Sequence, residues 1–475
     1  MIFIKKLFFL IIAFSLSILG IINVSAESAN FYEAEYIDNI YMVKYQPSTK
    51  TKYYQKARFF RRTSDNQAAY CLEPFKMFQN SNYTSTITPR NLSQEQMERI
   101  KRIVFYGYGY ENHWDAKWYA VTQLMIWQTA QPDGDHYFTD KLNGNRVNYY
   151  DQEINEINSL ISNSYIKPSI INKDYYFIKG ENGILKDTNN VLNKYKTANN
   201  NIKINDNSLI INNIDEGDYK ITLTRDNKKH NKPILFYQAE DSQNLINLGD
   251  IESEQESLNI HILKTKISIT KIDEDTNSII VSGNASLDGA KYKLMDSNKK
   301  EIKILEIKNN VAEIENIPFG KYYLQEIEPG IGYTLDETIY EIIIDKDNTI
   351  KDLILKNKVI EKEIIIEKQY GEENIFKGEK NKEFEIYDSN GTLIKTIKTD
   401  DAGITKITLP YGKYKIVQKN TTDGYTKISP FDITVENQKS ETITLKDYKI
   451  QVPNTHISLF TYLSKLLFQI LILVC

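Results

Sequence analysis

The chain has 475 residues, of which 41% are hydrophobic and 26% charged, with a net charge of -4. That length exceeds one hydrophobic core and predicts about three or four domains. The near-neutral balance, with no sustained Lys/Arg stripe, excludes nucleic-acid binding as the main task. Five histidines and two cysteines with no pair at ligand spacing leave no zinc site, and no metal or cofactor chemistry is indicated.

Residues 1–26 carry Lys5-Lys6, an apolar run from Leu7 to Ile22, and Val24-Ser25-Ala26. That is the order of a signal peptide, and it is set aside from the fold. Ser93, with Gln96 three residues on, predicts a helix start, and Met97, Ile100 and Val104 follow at helical spacing. A second helix is expected from about Asp115 to Thr129, apolar nearly all round and therefore buried. A third is expected from Asp151 to about Ser162, with Ile154, Ile157 and Ile161 on one face. Beyond Ile166 the period changes to two, as in Tyr219, Ile221 and Leu223, which predicts a β-rich companion subdomain over 166–261.

Two further units share an outline, the signature of a tandem array. The first, 262–360, runs from Ile269-Thr270-Lys271 through Gly320-Lys321-Tyr322-Tyr323-Leu324-Gln325-Glu326 to Lys356-Asn357-Lys358. The second, 361–450, runs from Ile366-Glu367-Lys368 through Gly412-Lys413-Tyr414-Lys415-Ile416-Val417-Gln418 to Leu445-Lys446-Asp447. Each has the length and turn spacing of a small β-sandwich. The expected fold class is therefore multidomain and mainly β, with an α+β N-terminal head and β-sandwich domains behind it.

Alternate residues of a strand share a face, so Lys271, Glu326 and Asn357 each continue an apolar face in the first unit. Burial removes the charge from a lysine and keeps the proton on a glutamate. A neutral amine beside a carboxamide, with a protonated carboxyl polarising the amide, can form a Lys271 to Asn357 isopeptide bond and release ammonia. The other reading of the same pattern is a buried Lys271 to Glu326 salt bridge. In the second unit the corresponding residues are Lys368, Gln418 and Asp447. A carboxamide at 418 cannot lend a proton as a carboxylic acid does, so a Lys368 to Asp447 bond lacks its catalytic group.

Cys71, in Ala69-Tyr70-Cys71-Leu72-Glu73-Pro74, has no disulfide partner, because Cys475 ends an apolar tail and is incidental. An unpaired thiol in an exported chain is either reactive or buried as a small core residue. On the second helix Ala116, Ala120, Gln123 and Trp127 share one face, presenting an amide beside small residues and an indole. Tyr70, Phe75, Trp114, Trp118 and Trp127 are candidates for keeping water from such a site.

Both repeated units resemble the Cna B-type domains of Gram-positive surface proteins and pilins. That resemblance implies a prealbumin-like sandwich, with Lys271 and Asn357 cross-linked and Glu326 catalytic. Ala69-Tyr70-Cys71-Leu72-Glu73 and Val121-Thr122-Gln123-Leu124-Met125-Ile126-Trp127 resemble the thioester domain at the tips of such adhesins. It implies a thioester domain over 27–165 with an internal Cys71 to Gln123 thioester. The implied partner is a host or neighbouring-cell surface protein that offers a nucleophile, a lysine amine in the family. Such chemistry turns over once and is not enzymatic.

Two other function classes fit parts of the pattern. Cys71 could be the nucleophile of a papain-like or transglutaminase-like hydrolase with His113 or His136 as base. The chain could instead be a non-covalent stalk or pilin subunit. At the C-terminus, Val452-Pro453-Asn454-Thr455-His456 resembles a sortase motif with histidine where glycine is usual. About 18 mostly apolar residues follow within 452–475. Attachment to the cell wall by sortase, or retention by the membrane, is the expectation from that ending.

Overall fold

The computed structural model describes residues 26–451. The signal peptide, but for Ala26, and the sorting-like motif and apolar tail lie outside the described residues. The described chain divides into two compact units. One holds residues up to 175 with 182–212 and 218–260, and the other holds 176–181, 213–217 and the chain from 261 onward.

Three helices form where the sequence places them. Helix α1 (Gln94–Tyr106) opens on a reciprocal capping box: the Gln96 amide donates to Ser93 Oγ at 3.2 Å, and the Ser93 amide donates to Gln96 Oε1 at 2.9 Å. Helix α2 (Ala116–Ala130) is N-capped by Asp115 and buries every residue from Trp118 to Trp127. Helix α3 (Asp151–Ser164) buries Ile157 and Ile161. Gly107 closes α1 where a Cβ would meet Thr122 Oγ1 at 2.1 Å, so glycine permits the close approach of α1 to α2.

The helices pack with a nine-stranded sheet in one core that includes Ile100, Val121, Ile126, Tyr70 and Cys71. The strand order is Ser28–Ala29, Tyr83–Thr86, Phe236–Gln238, Leu245–Asn247, Ala68–Cys71, Thr51–Arg62, Phe31–Gln46, Tyr137–Thr139, Arg146–Val147. The segment expected as a separate companion thus sends two strands into the head sheet, and one of them, Leu245–Asn247, lies directly beside the strand that ends at Cys71. The expected boundary at 165/166 separates in sequence what pairs in space. The other strands between 174 and 263 form a four-stranded and a three-stranded sheet.

In the second unit each repeat is a pair of facing sheets. In the first repeat the strand Lys266–Asp273 pairs in parallel with Ile350–Asn357, placing Lys271 opposite Leu355 and Asp273 opposite Asn357. In the second, Glu361–Glu372 pairs in parallel with Glu441–Tyr448, placing Lys368 opposite Leu445 and Tyr370 opposite Asp447. The two registers are equivalent, so each lysine faces the residue two before its candidate partner. Separate apolar cores fill the sandwiches, around Ile267, Tyr292 and Leu324 in one and Ile364, Phe384 and Ile416 in the other.

Candidate functional sites

Cys71 ends the strand Ala68–Cys71 and is 1% exposed. Tyr119 anchors α2 to that strand: its hydroxyl donates to Ala69 O at 2.7 Å and accepts from the Phe60 amide at 2.9 Å. One turn further along α2, Gln123 meets Cys71, but through the backbone. The Cys71 amide donates to Gln123 Oε1 at 2.8 Å, and Gln123 Nε2 donates to Cys71 O at 2.8 Å. Both ends of the Gln123 amide are therefore engaged in holding the cysteine backbone.

The thiol itself meets a different glutamine. Cys71 Sγ donates to Gln243 Oε1 and has a longer contact to Glu73 O at 3.4 Å. The sheet explains the meeting, since Leu245 pairs with Cys71 and Gln243 lies two residues before it. Glu73 fixes the same turn by accepting from the Asn244 amide at 2.7 Å, while the Leu72 amide donates to Asn244 O at 2.9 Å. Gln123, the expected thioester partner, thus meets the backbone of Cys71, while Gln243 faces its sulfur. The signal for Gln243 was a glutamine in Ser242-Gln243-Asn244-Leu245-Ile246 at the mouth of a strand, but nothing in linear spacing ties it to Cys71.

Burial pushes the Cys71 thiol up to about 11, against the pull of Lys44 and the Trp127 indole N–H. A cavity of about 580 Å³ opens beside it, lined among others by Lys44, Tyr53, Phe75, Tyr119 and Trp127. Lys44 Nζ sits 4.8 Å from the Trp127 ring centroid, and burial lowers its basicity. Of the five aromatic residues expected to shield the site, Phe75 and Trp127 line the cavity, and Tyr70 stacks behind it on Tyr119. Trp114 is exposed and Trp118 stacks on His113, away from that lining.

Neither candidate histidine hydrogen-bonds the Cys71 thiol, whose partners are Gln243 and Glu73. His113 contacts Tyr106 O at 2.9 Å, Gly107 O at 3.2 Å and Glu156 Oε1 at 3.2 Å. His136 is buried beside Phe75 and Trp127 with both ring nitrogens unpartnered, and desolvation pulls it down to about 4.

In the first repeat Lys271, Glu326 and Asn357 are at most 2% exposed and meet in one place. Lys271 Nζ contacts Asn357 Oδ1 and Tyr292 Oη closely and lies 2.9 Å from Glu326 Oε1. Asn357 Nδ2 donates to Glu326 Oε2 at 2.9 Å and Thr334 O at 2.9 Å. Desolvation lowers the basicity of Lys271, opposed by the Glu326 charge. The Tyr292 hydroxyl is a member of this cluster that strand parity did not single out.

In the second repeat Gln418 occupies the position of Glu326, paired across the sheet with Phe384 as Glu326 is with Tyr292. Lys368 lies 2.7 Å from Asp447 Oδ1 and 2.9 Å from Glu379 Oε2, and all three are at most 1% exposed. Glu379 follows the short strand Ile375–Gly378 and was not anticipated from the sequence.

Residues 68–168 match the thioester-domain family, and 265–359 and 376–449 match the prealbumin-like fold domain family. The chain carries a thioester domain and two prealbumin-like domains. It is 28% identical over 126 residues to a collagen adhesin of Staphylococcus aureus, a match that covers 25% of this chain and 11% of that protein. The matched stretch is thus about a tenth of that relative's length. Among solved structures, the Bacillus anthracis TIE protein is 18% identical with a TM-score of 0.34, covering 89% of this chain and 84% of that one. The thioester domain of the Staphylococcus aureus TIE protein is 20% identical with a TM-score of 0.39, covering 50% of this chain and 99% of that one.

Proposed function

We propose that the chain is a surface adhesin whose head attaches covalently to its target through a thioester between Cys71 and Gln243. The observation that carries this reading is the contact of Cys71 Sγ with the Gln243 carboxamide, made while Gln123 holds the Cys71 backbone from both sides. Formation joins Sγ to Gln243 Cδ and breaks the Cδ–Nε2 bond. The thiol proton leaves with the amide nitrogen as ammonia. An incoming amine then attacks Cδ, the sulfur departs and regains a proton, and an amide to the partner remains. The aromatic lining of the cavity, with Tyr53, Phe75 and Trp127, limits attack by water, and its volume has room for a side chain from another protein.

The two prealbumin-like domains form the stalk in this reading. A Lys271 to Asn357 bond, with Glu326 taking the lysine proton and ammonia leaving, clamps the first and last strands of the first domain. The family matches and the collagen adhesin relative support a cell-surface setting, with a host or neighbouring-cell protein offering a lysine amine as partner. Anchoring through the C-terminus, by sortase or in the membrane, completes the proposal.

The test is the intact mass and peptide map of the native chain and of Cys71→Ala, Gln243→Ala and Gln123→Ala, before and after methylamine. The expected native chain lacks one ammonia from the head, and methylamine maps to Gln243. Methylamine on Gln123, or a head of full sequence mass, rejects the assignment.

A further inference from the structure

Four ionisable side chains crowd the end of the second prealbumin-like domain: Lys368, Lys382, Glu379 and Asp447, none more than 8% exposed. Glu379 lies at their centre. Its Oε2 is 2.9 Å from Lys368 Nζ, while its Oε1 accepts from the Thr422 amide at 3.2 Å and lies 3.3 Å from Lys382 Nζ. Its backbone amide donates to Lys368 O at 2.8 Å, fixing the two residues against each other. Gly403, at φ +79°, makes room for this turn, because a Cβ there would meet Lys368 O at 2.3 Å and Glu379 N at 2.7 Å. Desolvation works against the Glu379 charge, but Thr422, Lys368 and Lys382 together hold the group below its ordinary value.

Asp447 is held from two sides. Its Oδ1 lies 2.7 Å from Lys368 Nζ, and its Oδ2 accepts from Gln418 Nε2 at 3.1 Å and Thr421 Oγ1 at 2.8 Å. Gln418 Oε1 in turn accepts from the Ile428 amide at 3.1 Å, which fixes the amide orientation that aims Nε2 at Asp447. The side chain at the Glu326-equivalent position is thus a donor to the acceptor carboxyl and does not move protons.

We propose that Glu379, reaching in from the turn after Ile375–Gly378, is the proton-transfer group for a Lys368 to Asp447 isopeptide bond formed with loss of water. Glu379 Oε2 takes a proton from Lys368 Nζ, and the freed amine attacks Asp447 Cγ. Gln418 and Thr421 stabilise the charge that develops on Oδ2. Oδ1 leaves as water after receiving two protons that started on Nζ, relayed by Glu379. The Nζ–Cγ bond forms and a Cγ–O bond breaks. One ammonium and one carboxylate become one amide and one water, with no net proton released.

The charges give the physical reason for the second lysine. Two buried ammonium groups and two buried carboxylates become one of each, and the survivors, Glu379 and Lys382, already face each other. Removing one ion pair from a dry interior removes its desolvation cost as well. The inference extends the stalk half of the proposed function to the second domain, and its products are distinguishable from those of that reading. The thioester and the first-domain bond each release ammonia, whereas this bond releases water.

The experiment is intact mass and peptide mapping of the full chain, following the peptide that joins residues 368 and 447. The native chain is expected to carry that branched peptide, lighter than its two parts by one water. Asp447→Asn should lose ammonia in place of water and reach the native mature mass. Glu379→Gln should abolish the link, and adding Gln418→Glu to that variant should restore it by returning a carboxyl to Asp447. An unlinked native chain overturns the bond. A complete link in Glu379→Gln, or no rescue by Gln418→Glu, overturns the role of Glu379.

Discussion

Cys71 and Gln243 stand 172 residues apart in the chain, yet the thiol of one donates to the carboxamide oxygen of the other. The intervening chain contains α1, α2 and α3, and the contact exists because the strand Leu245–Asn247 returns to pair with Ala68–Cys71. A thioester there ties the last-arriving strand of the head to its centre.

The two glutamines that touch Cys71 should separate cleanly on substitution. Gln123→Ala leaves a buried amide and carbonyl of Cys71 without partners, which should cost about 1–3 kcal/mol of head stability. The ammonia deficit should survive in the fraction that folds. Gln243→Ala should abolish the deficit with a smaller effect on the fold before cross-linking. Thermal unfolding read beside intact mass distinguishes the two.

In the native head burial pushes the Cys71 thiol up to about 11, and Gln243→Ala leaves that thiol free of its proposed acyl partner and still set among the same apolar neighbours. The thiolate is the reactive form, so alkylation should rise about tenfold per pH unit through the neutral and mildly alkaline range. A plateau at about pH 9.5, one unit above the ordinary cysteine value, would contradict this environment. Iodoacetamide labelling followed by mass spectrometry measures it.

A bond between Lys271 and Asn357, as proposed, would close a loop spanning 86 positions. Loop-closure entropy alone assigns such a link roughly 4–5 kcal/mol. Asn357→Ala should lower stability by about that amount and leave Lys271 and Glu326 as a buried ion pair. Glu326→Gln should also prevent the link. Resistance to unfolding by guanidinium, compared across the native chain and both variants, checks the ordering.

Arg62 is buried and grips Asp65 through two nitrogens, at 3.0 and 2.7 Å, while its third nitrogen bonds the Tyr237 hydroxyl. The Arg62 hydrogen bond, against a smaller effect of burial, and then Lys232 hold the Asp65 carboxyl far below its ordinary value. A depressed carboxylate stabilises the fold above its unfolded-state value, and that contribution fades as the pH falls below about 4. Asp65→Asn should therefore destabilise the head at neutral pH and flatten its acid limb. A chemical-denaturation series between about pH 7 and pH 2 reads both effects.

The sequence by itself determined the elements and the reactive residue types. Helix α1 is legible because Ser93 and Gln96 cap it locally, and the buried character of α2 is legible because its apolar residues run all the way round. Lys271 and Asn357 are legible because strand period assigns a face without knowledge of the partner strand, and one parallel register then brings them together. The tertiary structure decided which groups meet. Gln123 looks like the partner of Cys71 on its helix, but its amide is consumed by the cysteine backbone, and the sheet delivers Gln243 to the sulfur. Glu379 lies in a turn with no periodicity to mark it, and it reaches Lys368 only because two chain segments cross at Gly403. Periodicity is a property of neighbouring residues along one element, whereas proximity between distant side chains follows from strand order and loop return, which no local pattern encodes.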